Sequence, residues 1–272
     1  MNYIVGIDEG TTSARVVLFD VKTNKIIKIY RERFKQHFPH EGWVSHNPTE
    51  IWNIVRKGLK TVCEGLSEKD IYSIGITNQR ETIVAWKKST GEPLADAICW
   101  QDRRTAEFCK KLRESKLSKL IKEKTGLLPD SYFSASKIKW LLENDHNVQH
   151  AANEHDLAFG TIESFLTFKL TGGQSYVTDV TNASRTQLMN IKTLTWDPDL
   201  LKIFNVSADF LPKIVSNSEK ISETDPKITG LKIPICGLCG DQQSSLFGQG
   251  CHNSGELKVT YGTGAFILMN TG

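Results

Sequence analysis

The chain opens with two apolar, β-branched runs separated by a short polar segment, and this start constrains the fold more than any other feature. The runs lie at residues 3–8 and 14–20. Runs of this kind predict strands, and the segment between them is too short for a helix. We therefore expect an antiparallel hairpin. Its tip contains Gly10, a residue that permits backbone conformations that other residues resist.

The tip of this hairpin has the chemistry of an anion site. Its exposed amides and the hydroxyls of Thr11, Thr12 and Ser13 could all point at one anion. Asp8, at the end of the first strand, stands where a carboxylate would meet a magnesium ion on that anion. An ordinary hairpin turn can contain the same residues, so the segment alone does not decide between the two interpretations.

The next segments predict an α/β fold. Residues 26–34 should form a third strand and complete a meander. A helix should start at Asn47, which caps it, with Pro48 in the first helical position and Glu50 reaching back to the cap. Residues 71–76 predict a strand buried on both faces, which usually lies inside a sheet. A meander, a helix and a buried strand in this order are typical of the α/β class.

Later segments extend this pattern without a repeat or a flexible linker, so we expect one domain with helical insertions. Helices are predicted over most of residues 102–143 and at 161–170, a polar segment at 176–186, and a short helix after residue 198. A strand is predicted at 233–238, a helix start at 242–247, and one or two strands at 257–269.

Composition excludes several classes of protein. The net charge of +3, from 34 basic and 31 acidic residues, is too small to indicate a nucleic-acid or membrane partner. No apolar stretch approaches membrane-spanning length and no signal peptide is apparent, so we expect a cytoplasmic protein. The six cysteines form no framework, and we expect no metal at Cys236 and Cys239. His37, His40 and His46 are interpreted as surface residues that lack carboxylate or cysteine neighbours.

Polar residues follow predicted strands at three places, and each has two interpretations. Adjacent Arg80 and Glu81 suit a ligand with several hydroxyls, or belong to a surface hairpin. Asp241 either caps the helix that follows it or acts as a general base. The turn at residues 261–266 could accept a phosphate, or could be an ordinary turn. Three aromatic residues could wall such a site or simply be core: Trp100, Tyr132 and Phe266.

Taken together and in order, these segments resemble the glycerol kinases of the FGGY family of sugar and polyol kinases. The runs NQRE and TNASRT are specific to glycerol kinases within that family. The resemblance is carried along the whole chain by DEGTTS (8–13), GWV (42–44), GITNQRET (75–82), WQDRRT (100–105), TGL (125–127), YFS (132–134), TNASRT (181–186), GDQQ (240–243) and YGTG (261–264).

The resemblance implies a ribonuclease H-like, actin-like ATPase fold with a mixed sheet, an opening β-meander and flanking helices. It implies ATP-dependent phosphorylation of glycerol to sn-glycerol 3-phosphate, with Mg²⁺ as cofactor and Asp241 as the base. Hydrogen bonds to glycerol would come from Arg80, Glu81, Tyr132, Asp241 and Gln242, with Trp100 and Phe266 against its carbons. The ATP phosphates would contact Thr11, Thr12, Ser13, Arg15 and Thr263. Asp8 would hold Mg²⁺ through water, and Asp241 is a second candidate ligand.

The chain also departs from the family pattern. Asp8-Glu9-Gly10 replaces the usual Asp-Gln-Gly, which is either a surface exchange or a change in magnesium handling. The family continues past the position of Gly272 for about another domain. The resemblance therefore implies that residues 1–272 are the N-terminal, substrate-binding domain. It implies further that the nucleotide-binding C-terminal domain is absent from this chain, that the fragment cannot turn over, and that the full-length enzyme is a homo-oligomer, a dimer or tetramer.

Two alternatives remain open from the sequence. One is a kinase for another polyol or a ketose, because such enzymes share the fold and the phosphate loops. The other is a non-catalytic binding module of actin-like fold. Arg80 and Glu81 together with Asp241 argue against the second, since a scaffold needs none of them.

Overall fold

The computed structural model describes residues 2–262 and 264–272. The strands are β1 Tyr3–Glu9, β2 Ser13–Asp20, β3 Lys25–Arg33, β4 Gln36–His37, β5 Ser45–His46, β6 Ile71–Asn78, β7 Ile83–Lys87, β8 Ala97–Ile98, β9 Leu157–Thr161, β10 Val177–Asp179, β11 Met189–Asn190, β12 Thr195–Trp196, β13 Lys213–Val215, β14 Ser218–Glu223, β15 Pro234–Gly240, β16 Leu257–Tyr261 and β17 Ala265–Met269. The α-helices are α1 Pro48–Val62, α2 Ala106–Glu114, α3 Leu117–Thr125, α4 Ser134–Asn144, α5 His146–Asn153, α6 Ile162–Leu170, α7 Val180–Ala183, α8 Pro198–Phe204, α9 Pro226–Thr229 and α10 Asp241–Gly248. Within these described ranges, no helix is both long and apolar enough to cross a membrane.

The larger sheet has six strands in the order β14-β15-β6-β1-β2-β3. β1, β2 and β3 are antiparallel neighbours, which confirms the predicted meander. β6 pairs parallel with β1 on one side and with β15 on the other. The predicted buried strand, β6, therefore lies inside the sheet. The prediction that both of its faces are buried was wrong. Successive side chains face opposite sides of a sheet: Ile74 and Ile76 are buried on one face, whereas Ser73 and Thr77 on the other face are only half-buried. Tyr72, near the start of the strand, is 47% exposed.

Two hydrophobic cores are present, and alternate residues of β7 and β9 contribute to both of them. The first joins the large sheet to α1 and α6 through residues such as Val5, Val55 and Phe165. The second joins β7 and β9 of a five-stranded sheet, ordered β4-β5-β8-β7-β9, to the inserted helices. Ile138 of α4 and Phe204 of α8 are buried there. The inserted helices thus have a core of their own beside the large sheet.

Helix α1 starts where its sequence predicts. The Asn47 side chain accepts hydrogen bonds from the N–H groups of Thr49 and Glu50, and Pro48 holds the first helical position. Such a cap contributes about 1 kcal/mol to stability. The expected return contact of Glu50 was wrong, because its carboxylate accepts from the N–H of Lys35 instead.

Strand β9 and the elements β10 and α7 were not predicted. The apolar run of β9 leads directly into α6, and a short buried strand cannot be told from a buried helix by periodicity alone. β10 and α7 lie in the segment predicted only as polar, and Asp179 caps α7 by accepting from Thr181 and Asn182 N–H groups.

The last two strands form a separate antiparallel hairpin, β16–β17, that packs near α10. Several of its apolar side chains face solvent: Tyr261 is 85% exposed and Ile267 is 70% exposed. Lys258 of the same hairpin, by contrast, is buried.

Candidate active site

Three parallel strands end at the same level on one edge of the large sheet. Glu9 of β1 is paired with Asn78 of β6, and Asn78 is paired with Gly240 of β15. The segments that follow these strands therefore open side by side, at the place where open α/β sheets bind ligands. A cavity of about 490 Å³ lies at this edge.

All the side chains predicted to bind a polyol line this cavity, although they come from separate parts of the chain. They are Arg80, Glu81, Trp100, Tyr132, Asp241, Gln242 and Phe266. The fold thus brings together a carboxylate pair, a guanidinium, an amide and three aromatic rings. A compact ligand with both hydroxyls and carbons matches such a lining.

Asp241 is the first residue of α10 and is held by N–H donors on one side. Its Oδ1 accepts from Arg80 Nε at 3.0 Å and from the Gln242 N–H at 2.7 Å. Oδ2 receives only a longer bond of 3.3 Å from Gln242 Nε2. Gly240, not Asp241, is the N-cap residue of α10, and no side-chain cap bond is present. The capping interpretation of Asp241 was therefore wrong.

The residue before Asp241 has to be small. A Cβ built on Gly240 would lie 2.6 Å from Arg80 Cδ and 2.7 Å from Arg80 Cγ. Arg80 is buried, so its side chain has little room to retreat. Glycine at this position lets the Arg80 guanidinium cross the end of β15 and reach Asp241.

Glu81 is buried and has an unusual backbone. Its φ of +63° lies in the left-handed region, and the Thr82 N–H closes a three-residue turn on the Arg80 carbonyl at 2.8 Å. Its carboxylate accepts from Arg185 Nε at 2.6 Å. The turn sends two adjacent side chains to different partners, Arg80 to Asp241 and Glu81 to Arg185.

Aromatic rings form one wall of the cavity. Trp100 meets Tyr132 and Phe266 edge-on, with ring centroids 5.7 Å and 5.9 Å apart. Burial, with the Glu81 carboxylate adding to it, raises the pKa of Tyr132 to about 12, so its hydroxyl stays protonated and can donate. The wall combines apolar surface with one hydroxyl donor.

The hairpin tip contributes part of its predicted anion chemistry to the cavity. Asp8, Thr11 and Arg15 line it. Asp8 and Arg15 are paired across β1 and β2 and form an ion pair. Thr11 Oγ1 accepts from Trp100 Nε1 at 2.9 Å, which ties the tip to the aromatic wall.

Of the three hydroxyls at the hairpin tip, only that of Thr11 belongs to a residue that lines the cavity in this structure. Thr12 is exposed outside the cavity lining. Ser13 is buried in β2, where its Oγ accepts from Arg31 Nε at 3.2 Å. Ser13 is the first residue of β2 and pairs with Arg33 of β3. Thr263, the other residue predicted to contact phosphate, lies outside the described residues.

Two carboxylates face the cavity at a place that suits a magnesium ion. Burial raises the pKa of Asp8 against the lowering effect of Arg15, and the nearby charge of Asp241 adds to the rise. A cation would relieve both effects. Mg²⁺ is commonly held by one or two carboxylates together with water and substrate phosphates, so Asp8 and Asp241 fit it. No group of three or more His, Cys, Asp or Glu forms a metal cage in the described chain.

Glu9 does not lie on the surface, so the interpretation of a surface exchange was wrong. Its side chain is fully buried beneath the hairpin tip, and its Oε1 accepts from Gln79 Nε2 at 2.9 Å. Its Oε2 has no hydrogen-bond partner among the described residues. Burial raises the pKa of Glu9 well above its usual range, and the Gln79 bond opposes this only in part.

The interpretation of the three histidines as surface residues without carboxylate neighbours also needs correction. His46 is fully buried in β5, where its Nδ1 lies 3.2 Å from Gln79 Nε2. Burial lowers the pKa of His46 to about 4, so the ring is neutral at pH 7. His37 lies 2.9 Å from an Asp96 carboxylate oxygen. The pairing of β5 with β8 buries His46 and could not be inferred from the loop sequence.

Three supporting residues were not singled out from the sequence: Gln79, Lys137 and Arg185. Gln79 links Glu9 to Thr82, whose Oγ1 donates to Gln79 Oε1 at 3.0 Å. Lys137 donates to the carbonyls of Glu81 and Tyr132. A signal existed for Lys137, because it occupies the buried stripe of α4. Arg185 lies in the run TNASRT (181–186), which carries the family resemblance but did not suggest a role for this side chain.

A comparison with known protein families identifies the family of this chain. The FGGY family of carbohydrate kinases, N-terminal domain, matches residues 3–248. The chain belongs to this family. Among curated relatives, glycerol kinase of Rhizobium meliloti (strain 1021) is 49% identical over 272 residues, covering 99% of this chain and 54% of the relative. Glycerol kinase 2 of Thermotoga maritima is 47% identical over 274 residues, covering 100% of this chain and 55% of the relative.

Solved structures agree with this FGGY assignment. Plasmodium falciparum glycerol kinase with ADP matches at a TM-score of 0.91 and 39% identity, covering 99% of this chain and 54% of that one. Gluconate kinase from Lactobacillus acidophilus matches at 0.86 and 25% identity, covering 97% and 53%. The predicted actin-like ATPase fold is confirmed. The chain spans about half the length of the relatives that it matches.

Proposed function

We propose that the protein carrying these residues is an ATP-dependent kinase that converts glycerol to sn-glycerol 3-phosphate. One observation carries the proposal: a single cavity holds Asp241 next to Arg80 and Glu81 and also reaches the hairpin tip. A base, a polyol pocket and a phosphate loop are what phosphoryl transfer to an alcohol requires. Relatives named glycerol kinase, nearly half identical over this chain, support glycerol as the acceptor.

Asp241 is the proposed base. The terminal hydroxyl of glycerol gives its proton to Asp241 while its oxygen bonds to the γ-phosphorus and ADP leaves. Oδ2 is suited to this step because Oδ1 already accepts from Arg80 and from the Gln242 N–H. Those two donors also fix the direction in which the carboxylate points.

The remaining hydroxyls of glycerol are proposed to bind Arg80, Glu81, Tyr132 and Gln242. Glu81 accepts and Tyr132 donates, so the pocket offers both kinds of partner to hydroxyl groups. The edges of Trp100 and Phe266 pack against the carbons. Arg185 orients the Glu81 carboxylate through its 2.6 Å hydrogen bond.

The ATP phosphates are proposed to contact Thr11 and Arg15 and, by resemblance, Thr12, Ser13 and Thr263. Of these, Thr11 and Arg15 line the cavity. Asp8 is proposed to hold Mg²⁺ through water, with Asp241 as the second candidate ligand. When bound, Mg²⁺ would neutralise phosphate charge during transfer. Arg15 supplies a second positive charge beside the same loop.

The substrate is tested by a panel of acceptors in a coupled ADP-release assay. Residues 1–272 are assayed alone and fused at Gly272 to the remaining part of the Rhizobium meliloti relative. We expect the fusion to prefer glycerol over erythritol, xylulose and gluconate. A preference for another acceptor would instead make the protein a different polyol or ketose kinase. No turnover with any acceptor would favour a non-catalytic module.

Residues 1–272 alone correspond to about half of the relatives' length. We propose that they bind glycerol weakly and do not turn over, because the resemblance implies that the second wall of the active-site cleft belongs to the other half of the full-length protein. Glycerol-dependent ADP release by residues 1–272 alone would contradict this.

The role of Asp241 is tested by Asp241→Asn in the same fusion. The amide keeps the shape but cannot take a proton, so kcat should fall by at least about a hundred-fold. Circular dichroism and thermal unfolding should change little, since the side chain is partly exposed. Wild-type turnover in this variant would rule out Asp241 as the base.

A further inference from the structure

Lys137 of α4 is a fully buried lysine that the proposed chemistry does not use. Its ammonium donates to two backbone carbonyls, and not to a carboxylate: the Tyr132 carbonyl at 2.7 Å and the Glu81 carbonyl at 3.4 Å. Fully buried lysines are rare unless they are paired, because removing a charge from water is costly. A feature with this cost, placed next to the candidate site, calls for a functional reason.

The two carbonyls belong to residues from different segments of the chain. Glu81 follows β6, whereas Tyr132 comes from the loop before α4. Both of their side chains line the cavity. Lys137 therefore connects, through one atom, two chain segments that both line the pocket.

The Glu81 backbone needs such support. A three-residue turn with a positive φ at its centre is rare and strained, and persists only where the surroundings hold it. The Glu81 φ is +63°. Ser134 Oγ donates to the same Glu81 carbonyl at 3.0 Å, so two side chains of α4 hold this turn. Relaxation of the turn would move the side chains of both Arg80 and Glu81.

We propose that Lys137 is a positioning residue that determines affinity for the polyol, by holding the Glu81 turn and the Tyr132 segment at a fixed separation. The proposal rests on the proposed function, since it assumes that a small polyol is the ligand of this pocket. Lys137 does not touch the ligand itself. It acts through the backbone of two residues that do.

A pH dependence follows from the surroundings of Lys137. Burial lowers its pKa to about 8, and the titratable groups that oppose this are Glu81, Cys99, Asp102 and Cys109. Above pH 8 the side chain is a neutral amine, whose hydrogen bonds to carbonyls are weaker than those of an ammonium. Affinity for the polyol should therefore fall as the pH rises through about 8.

The test is an NMR titration of residues 1–272 with glycerol between pH 6.5 and 9.5 (roughly the range that brackets the lowered pKa). Lys137→Met keeps the unbranched chain but removes every donor. The Kd for glycerol should rise on the order of ten-fold, as expected for lost hydrogen bonds from a charged group. The alkaline weakening should disappear in this variant.

Ser134→Ala and Ser136→Ala form a matched pair on the same helix. Both hydroxyls are buried and hydrogen-bonded, but Ser134 bonds the Glu81 carbonyl whereas Ser136 bonds Thr105 at 2.8 Å. Ser134→Ala should weaken glycerol binding more than Ser136→Ala does. This pair decides the matter if Lys137→Met does not fold, and equal affinities in the pair would then overturn the proposal.

A folded Lys137→Met variant with wild-type affinity and wild-type pH profile would overturn the proposal directly. If the wild-type chain binds no glycerol, the proposed substrate fails first. The crystal structure of Lys137→Met then tests positioning separately. A positive φ retained at Glu81 would overturn the positioning role, and a relaxed turn would support it.

Discussion

At the scale of single residues, Glu9 shows how burial can change the meaning of a substitution. The resemblance to the FGGY family implies glutamine where this chain has Glu9. The fold places this carboxyl under the hairpin tip with one oxygen unpartnered among the described residues. A carboxylate there is costly, because no donor among the described residues replaces the water that Oε2 loses. Glu9 therefore bears on stability and on the order of the tip, not on the protein surface.

Glu9→Gln should stabilise the protein, and more so as the pH rises. The folded-state pKa is raised above 4.5, so the contribution of Glu9 to stability is full below pH 4.5 and is lost as the pH rises through the folded-state pKa. Glutamine has no such loss. At neutral to alkaline pH the free energy of unfolding should increase by about 1–3 kcal/mol.

Denaturant unfolding at several pH values measures this difference. Glu64→Gln is the control, because Glu64 is exposed. If the free energy of unfolding had the same pH dependence in both variants, the prediction that burial destabilises the Glu9 carboxylate would be contradicted.

The residues that line the candidate site were largely predictable from the sequence, but the buried residues that hold them in place were not. Arg80, Glu81 and Asp241 stand out because polar residues follow apolar runs. The burial of Glu9 and His46 depends on strands paired from distant parts of the chain, which no local pattern reveals. The burial of Ser13, which pairs with Arg33 of β3, was not evident from the hairpin sequence either.

At the scale of elements, the site depends on the close approach of β15 to the Arg80 turn. Only glycine at position 240 leaves room for the Arg80 side chain. Local signals predicted the β1–β2 hairpin and α1, because turn and cap chemistry are local. They missed β9, because a five-residue buried strand running into a helix has no period of its own.

Gly240→Ala should separate Arg80 from Asp241. The added methyl group meets atoms of a buried side chain at less than 3 Å, so we expect a loss of stability of about 1–3 kcal/mol. Turnover in the fusion should also fall, since Asp241 loses a donor that orients it. Thermal unfolding and the ADP-release assay measure the two effects.

Gly75→Ala provides the matched control for this prediction. Gly75 lies in the neighbouring strand β6, and a Cβ built there meets nothing within 4 Å. Its variant should keep both stability and turnover. Equal losses in the two variants would mean that strand glycines matter here for a reason other than contact with Arg80.

At the scale of the whole molecule, two cores carry most of the burial while the β16–β17 hairpin carries little. Exposed apolar strands with free edges are prone to pair with other chains. Val259 and Ile267 are paired in this hairpin and are both exposed. Its strands were predicted from their composition, but their exposure was not, because alternation alone does not say which face is covered.

Residues 1–272 should therefore self-associate through this hairpin as their concentration rises. Ile267→Lys should shift sedimentation velocity profiles towards the monomer, because the charge opposes burial of the strand. Phe38→Lys is the control: Phe38 is 67% exposed but isolated in a loop. A monomeric wild-type chain, or an equal effect of both variants, would contradict the prediction.

The common level at which β1, β6 and β15 end determines where this chain can tolerate insertions. Side chains alternate along a strand, so a one-residue insertion inside any of the three would turn its final residues to the opposite face. An insertion at residues 227–232, ahead of β15, would be absorbed outside the sheet and leave Asp241 in place. Length variation among descendants of this sequence should therefore collect at the edge of the sheet far from the cavity, and a library of single-residue insertions would map that boundary.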